Sequence, residues 1–414
     1  MVGFGAALTD SSSKLLSELK SKNAGNYWAL LKKLCDPTDG GSGAGFSYLR
    51  IPLGASYFSD SVYSFDDVSG DTSLSHFDID KAPSYLFSTL NDIVGINSYL
   101  KIQITPWSPP GWMKDSGTMN GGKFYTSYSD VYTNYLLKCL QGYKSKGFDI
   151  WAISIQNEPL NSNPSYPTNL IDPFWESQVA TKLRSLMNSN GFSGADVIGF
   201  DHNWSDADGY PVELMEDAES AFDGVSFHCY AGSVSDQDTF HNAYPSKNWS
   251  DVKWYSNNIF IGAVNHYARN AAVWNLALDG NRNPKLPGTT SCGGSDPCRG
   301  VVTIFSDGTY GLNQEFYAIA QASKAILPKD KGGPLGRHIK VDVGGNQNLV
   351  VSFFVTERTS SSDWNRYSLV VLNQRNDGKW DPVGIKATIE FRGKQATYTF
   401  PVGVTTVWWY AAPQ

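Results

Sequence analysis

Ile150-Trp-Ala-Ile-Ser-Ile-Gln156 runs directly into Asn157-Glu158-Pro159, and the reading of these ten residues decides the fold. A strand with one face in water alternates apolar and polar residues. This run alternates too little for that and reads as a strand buried on both faces, as in a parallel sheet. Pro159 ends it. A glutamate is thereby placed at the C-terminal end of a buried parallel strand, where (β/α)₈ enzymes carry their reactive groups. A solvated Glu closing a surface strand reads the same in isolation, so the remaining chain must discriminate.

Working outward, short apolar runs alternate with helical patterns through the first three quarters of the chain, the signature of a βαβα fold. Strands are expected near Val2 to Ala7, Tyr48 to Leu53, Leu100 to Thr105, Trp151 to Gln156, Val197 to Asp201, Val225 to Tyr230 and Ala272 to Leu276. The helical segments are Ser11 to Lys20, Asn26 to Leu34, Ala82 to Ile93, Ser129 to Lys146, Pro173 to Asn188, Val212 to Ala221, Ser250 to Ala268 and Asn313 to Ala325. A Gly-, Pro- and Ser-rich loop follows Gly280. From about Arg337 the pattern becomes alternating strands at Ile339 to Val343, Leu349 to Val355, Tyr367 to Leu372, Ile385 to Phe391, Ala396 to Phe400 and Thr405 to Tyr410, with turns at Asn376-Asp-Gly378 and Arg392-Gly393. The expectation is an α/β fold: a (β/α)₈ TIM-type barrel over residues 1–330 lacking one strand, the seventh. A C-terminal antiparallel β-sandwich over residues 331–414 is expected beside it, its own N-terminal strands truncated.

The 414 residues are enough for a barrel of roughly 250 residues and a smaller partner. Net charge is −7 with a pI near 5.4, and no basic cluster stands out, which argues against a nucleic-acid partner. No apolar stretch reaches the ~20 residues that span a bilayer. Aromatics make up 14%, including 13 Trp, which favours a carbohydrate partner because sugars stack on ring faces; large cores also use aromatics. Of five cysteines, Cys292 and Cys298 read as a loop closed by a local disulfide, with two unpaired thiols as the alternative. Cys35, Cys139 and Cys229 leave at least one without an intramolecular partner, and their spacings resemble no metal site. Asn203-Trp-Ser205 and Asn248-Trp-Ser250 are glycosylation sequons, meaningful in a secreted protein. No leader precedes Gly3, which leaves either a cytosolic protein or a truncated N-terminus; the disulfide-like spacing makes a secreted protein with a truncated N-terminus the expectation.

An Asn beside a Glu at a barrel mouth suits glycoside hydrolysis, in which the acid protonates a leaving oxygen and the amide holds a sugar hydroxyl. Gly3-Phe-Gly-Ala-Ala-Leu-Thr-Asp10, Leu49-Arg-Ile-Pro-Leu-Gly-Ala-Ser56, Thr105-Pro-Trp-Ser-Pro-Pro-Gly-Trp-Met-Lys114, Gln156-Asn-Glu-Pro159, Phe227-His-Cys-Tyr230 and Trp274-Asn-Leu-Ala-Leu278 occur in that order. Together with Val370-Val-Leu-Asn373 and Thr406-Val-Trp-Trp-Tyr410, they resemble glycoside hydrolase family 30, which includes lysosomal glucosylceramidase and fungal β-1,6-glucanases and β-1,6-galactanases. The resemblance implies a retaining mechanism with two glutamates and no cofactor or metal. Glu158 matches the acid/base and Asn157 the residue holding the 2-hydroxyl. Arg50, Trp107, Tyr230 and Trp274 match positions around the reacting sugar, and His228 and Asp201 sit at neighbouring strand ends; for each, simple packing is the competing reading. Trp112, Trp204 and Trp249 read either as sugar platforms or as loop core. Tyr57 stands where many members carry an Asp, and reads either as a changed subsite or as filling.

The family's nucleophile, a glutamate on the seventh strand, has no counterpart. No glutamate occurs from Ser220 to Gln314, and residues 231–248 contain one β-branched aliphatic, Val234. Asp236, Asp238 and Asp251 are the local carboxylates, and Asp251 is expected in the first turn of a helix. The expected partner is a β-linked glycan, β-1,6-glucan first, with β-1,6-galactan, xylan and glucosylceramide as alternatives. The chain as written is expected to be inactive or very weakly active. The alternatives are a non-catalytic carbohydrate-binding protein and an enzyme that has recruited another carboxylate.

Overall fold

In the computed structural model, residues 1–252, 258–292, 298–345, 348–375 and 383–413 are described, without the side chains of 248–252. Eight parallel strands close a barrel in chain order: β1 (Gly3–Ala7), β2 (Tyr48–Leu53), β3 (Lys101–Pro106), β4 (Ala152–Ser154), β5 (Asp196–Asn203), β6 (Gly224–His228), β7 (Asn248–Val252) and β8 (Asn270–Val273). β8 pairs back onto β1, from Gly3↔Asn270 to Ala6↔Val273. Gly5 lets β1 and β2 approach: a Cβ there would stand 1.8 Å from Tyr48 O.

The helices start where local chemistry satisfies their first N–H groups. Thr9 accepts from Ser12 N ahead of α1 (Asp10–Lys22), and Asn23 from Asn26 N ahead of α2 (Ala24–Cys35). α3 (Ser84–Ile96) and α4 (Ser129–Ser145) follow. Asp172 caps α5 (Pro173–Ser189), whose first residue is a proline that has no N–H to leave unpaired. α6 (Tyr210–Ala218) and a seven-residue α7 (Gln237–Ala243) complete the barrel's outer layer.

The seventh strand is present, contrary to the sequence-based expectation. Asn248–Val252 pairs with β6 along its length and with β8 at Ser250↔Asn270 and Asp251↔Ala271. Residues 250–252, expected to open a helix running to Ala268, belong to this strand, and among the described residues of that span Ile259–Ala263 is a π-helical turn. The stretch from Ala231 is long enough because α7 is short and the strand starts where a helix was expected. Without β7, the facing ladders of β6 and β8 would leave N–H and C=O groups unpaired, a tertiary demand that outweighs weak local β-propensity.

The loop expected after Gly280 is interrupted by structure. β9 (Ala277–Asp279), β10 (Val302–Ile304) and β11 (Tyr310–Leu312) make a small sheet beside α1, and α8 (Gln314–Ile326) follows. Beyond it β12 (Arg337–Ile339), β13 (Leu349–Thr356), β14 (Asn365–Asn373) and β17 (Gly403–Ala411) form an antiparallel sheet in the order β12-β13-β14-β17. Lys340 to Val343, expected to extend β12, lie outside it. A hairpin of β15 (Ile385–Phe391) and β16 (Lys394–Phe400) covers one face through Phe353, Tyr367, Phe391 and Trp409. Its turn is Arg392-Gly393, both at positive φ as such a two-residue turn requires; the turn expected at Asn376-Asp-Gly378 lies outside the described residues. The opposite face, with Phe354 and Val370, joins the barrel's hydrophobic core.

Candidate active site

A ladder of polar side chains inside the barrel leads to its mouth. Tyr48 Oη donates to Gln103 Oε1, and Gln103 Nε2 donates to Ser154 Oγ at 2.8 Å. Ser154 Oγ donates to Asp201 Oδ2 at 2.8 Å. Asp201 also accepts from Arg50 Nη2 at 2.8 Å, and that nitrogen donates again to Asn157 Oδ1 at 2.8 Å. All these groups are buried, so each depends on the others for its hydrogen bonds.

Glu158 lies at the mouth just past β4, in the left-handed region at φ 49°, a conformation that non-glycine residues seldom hold without support. The support is local: Glu158 N donates to Asp201 O, and Glu158 O accepts from Asn161 N. Its carboxylate accepts from Asn161 Nδ2 at 2.8 Å, while Oε1 lies 2.9 Å from His228 Nδ1. His228 Nε2 is 2.9 Å from Asp201 Oδ1. Both ring nitrogens thus face carboxylate oxygens that can only accept, so the ring binds as imidazolium.

The ionisation states follow. Burial pushes Glu158 up, but the hydrogen bond and charge of His228 outweigh it and bring the carboxyl to about 2. Burial pushes His228 down, but the two carboxylates outweigh it and raise it. Asp201 is held well below the usual range because Arg50 and His228 outweigh its burial. The neighbouring His202 is pushed down by burial. The shifts of Glu158 and His228 favour the same arrangement, a charged His228 ring between the carboxylates of Glu158 and Asp201.

Arg50, Tyr57, Trp107, Asn157, Glu158, His228, Tyr230 and Trp274 line one pocket. Seven of the eight site residues expected from sequence are thus brought together, and the eighth, Asp201, sits beneath them. Trp107 and Trp274 stack at 4.9 Å, and the Arg50 guanidinium lies 4.7 Å from the centre of the Trp107 ring. The enclosed volume is about 10 Å³, room for roughly one water. Tyr230, 53% exposed, stands at the rim of this pocket.

Asn161, Tyr166 and His202 were missed. Asn161 follows Glu158 by three residues, a spacing that closes a turn and could have pointed to it; Tyr166 and His202 carried no such signal. Tyr57 is buried among Phe58, Tyr166 and Trp274 as a pocket wall. Trp112, whose Nε1 donates to Asp66 O, and the buried Trp204 are loop core, whereas Trp249 lies outside the described side chains.

On β7, Val252 pairs in register with His228 of β6. Asp251 belongs to that strand and not to a helix, and its side chain lies outside the described residues. Asp236 caps the turn at Ser233, and Asp238 pairs with His266 at 2.9 Å. Asp201 is saturated by three donors. The Cys292–Cys298 disulfide is formed, and Cys35, Cys139 and Cys229 are buried free thiols. Among the described residues no helix is long and apolar enough to cross a membrane.

Residues 1–249 match the TIM-barrel domain of glycosyl hydrolase family 30. The chain is 34% identical to an endo-1,6-β-D-glucanase of Neurospora crassa, over 78% of this chain and 69% of that protein. It is 32% identical to an endo-1,6-β-D-glucanase of Aspergillus fumigatus, over 79% of this chain and 70% of the relative. The solved structure of an endo-β1,6-glucanase superposes with a TM-score of 0.85 at 27% identity, covering 99% of this chain and 91% of that one.

Proposed function

Because the chain belongs to glycosyl hydrolase family 30, we propose that its barrel mouth binds β-1,6-glucan and that Glu158 is the acid/base of a retaining hydrolysis. The observation that carries this reading is the Glu158 carboxylate fixed at the end of β4 in a pocket walled by Trp107, Trp274 and Tyr230. Asn157, with its amide oriented by Arg50, is the group for the 2-hydroxyl. Arg50 also offers a buried Nε–H with no acceptor among the described residues, which suits a sugar oxygen. The secreted setting of a polysaccharide hydrolase is part of the proposal.

Retaining hydrolysis also needs a second carboxylate about 5–5.5 Å from the acid/base. The absence of glutamate from Ser220 to Gln314 leaves that role without its usual residue. We therefore propose very slow turnover for the chain as written. The same observation favours a second reading, a glycan-binding protein that has lost hydrolysis.

Hydrolysis and binding of a linear β-1,6-glucan, measured for this chain and its Glu158→Gln variant, separate these. Binding with trace turnover that Glu158→Gln removes is the expected result. Binding with no turnover selects the second reading. Fast turnover abolished by Glu158→Gln overturns the slow-turnover proposal, and absence of binding overturns the substrate.

A further inference from the structure

The segment following β9 returns over the barrel mouth, where the Cys292–Cys298 disulfide closes it on itself. On one side it meets the pocket wall: Leu286 N donates to Tyr57 O at 2.9 Å, and Cys292 Sγ lies 3.8 Å from Tyr57 Oη. Both cysteines pack against the cluster of Tyr57, Trp107, Tyr166 and Trp274.

On its other side the segment grips the loop after β4. Thr290 N donates to Ser165 Oγ at 3.0 Å, the two hydroxyls are 2.9 Å apart, and Asn163 Nδ2 donates to Thr290 Oγ1 at 3.2 Å. Asn163 N in turn donates to Asn161 Oδ1 at 3.1 Å, and Ser165 N to Asn163 Oδ1 at 2.9 Å. Asn161 Nδ2 donates to Glu158 Oε2 at 2.8 Å and to Tyr166 Oη at 3.2 Å. A continuous chain of contacts thus runs from the disulfide-closed segment to the Glu158 carboxylate.

We propose that the stretch from Leu286 to Cys292 is the positioning element of this site, and that its hold on Asn161, Tyr57 and Tyr166 depends on the Cys292–Cys298 bond. The Thr290 contacts are exposed hydrogen bonds of small net worth, set against the entropy of ordering an irregular loop. The crosslink ties Cys292, the end of this stretch, to Cys298, which packs on the same aromatic cluster, and so narrows the conformations open to the neighbouring Thr290. A dithiol reductant reverses it: two electrons and two protons convert the S–S bond to two thiols, and the reductant leaves as its own disulfide. The functional consequence rests on the reading of Glu158 as the acid/base; the mechanical one does not.

Amide hydrogen exchange of the full chain, oxidised and after treatment with dithiothreitol, tests it, with a gain of two titratable thiols verifying reduction. Reduction is expected to speed exchange at Asn163, Ser165 and Thr290 about ten-fold or more while β13 and β14 stay protected. The Cys292→Ser/Cys298→Ser variant is expected to match the reduced protein, and Thr290→Val to loosen Asn163 and Ser165 with the disulfide intact. Unchanged exchange over residues 161–166 overturns the proposal, as does loss of protection throughout the barrel, which would make the bond a global stabiliser. Affinity for a β-1,6-gluco-oligosaccharide is expected to fall about ten-fold on reduction. If exchange changes but neither redox state binds, the substrate reading fails and the positioning role stands.

Discussion

His228 connects Glu158 to Asp201 through its two ring nitrogens, so its loss strands two buried carboxylates at once. Removing one member of a buried ion pair costs about 3–5 kcal/mol. His228→Ala is expected to lose stability on that scale in denaturant titrations, although Arg50 and Ser154 still serve Asp201. The pH dependence has a defined sign. Glu158 is held at about 2, below the roughly 4.3 of an unfolded glutamate, so its contribution is full above the unfolded value and disappears as pH falls from about 4.5 towards 2. Denaturant midpoints between pH 6 and 2 should fall less steeply for Glu158→Gln than for the parent chain; parallel curves would show that His228 does not hold the carboxylate in its charged form. The position and identity of Glu158 were legible in sequence from the strand it ends. Its protonation state was not, because His228 and Asp201 come from other strands and only barrel closure brings them within hydrogen-bonding distance.

At the scale of elements, β5 carries a bulge: its register with β6 shifts between Gly199 and His202, and Phe200 and Asp201 adopt φ of 64° and 46°. Glu176 on α5 holds the bulge, accepting from Phe200 N at 3.0 Å and from Tyr210 Oη at 2.7 Å. The bulge aims Asp201 at Arg50 and His228. Burial raises Glu176 to about 7, so here the sign is reversed: the contribution is full below the unfolded value near 4.3 and is lost as pH rises through about 7. Glu176→Gln keeps the shape and removes the titration, and is expected to flatten the decline in stability between pH 5 and 7 in denaturant melts. The helix α5 was readable from Asp172-Pro173 at its start, whereas the bulge was not, since a regular strand and a bulged one share the same apolar pattern. β7 shows the limit more sharply: Asn248-Trp-Ser-Asp-Val252 has little local strand character, and its pairing with β6 and β8 makes it a strand.

Across the whole molecule, the barrel and the C-terminal sheets share a packed core through Phe354 and Val370 and are joined by polar contacts at its edge. Asn265 Nδ2 donates to Val351 O at 2.9 Å, and Ser352 Oγ donates to Asn265 Oδ1 at 2.7 Å. Arg366, 3% exposed at its side chain, donates to Leu327 O and pairs with Asp39 at 2.9 Å. Arg366→Ala removes both charge-assisted contacts and is expected to cost about 2–4 kcal/mol. In calorimetry a single transition should separate into two, the C-terminal sheets unfolding first; one cooperative transition at an unchanged midpoint would count against this coupling. The sequence by itself determined the barrel, most of its strands and helices, Asn157-Glu158 at a strand end, the aromatic residues of the pocket and the lack of glutamate from Ser220 to Gln314. The strands, the helices and the strand-end Asn157-Glu158 follow from local periodicity and residue identity, and the pocket aromatics from the motifs that resemble glycoside hydrolase family 30. Tertiary structure alone decided which residues form the seventh strand, which carboxylates face His228, and that Thr290, beside the Cys292–Cys298 disulfide, meets Asn163 and Ser165. Each depends on backbone ladders, charges or side chains far apart in sequence, whose energies arise only after the barrel has closed.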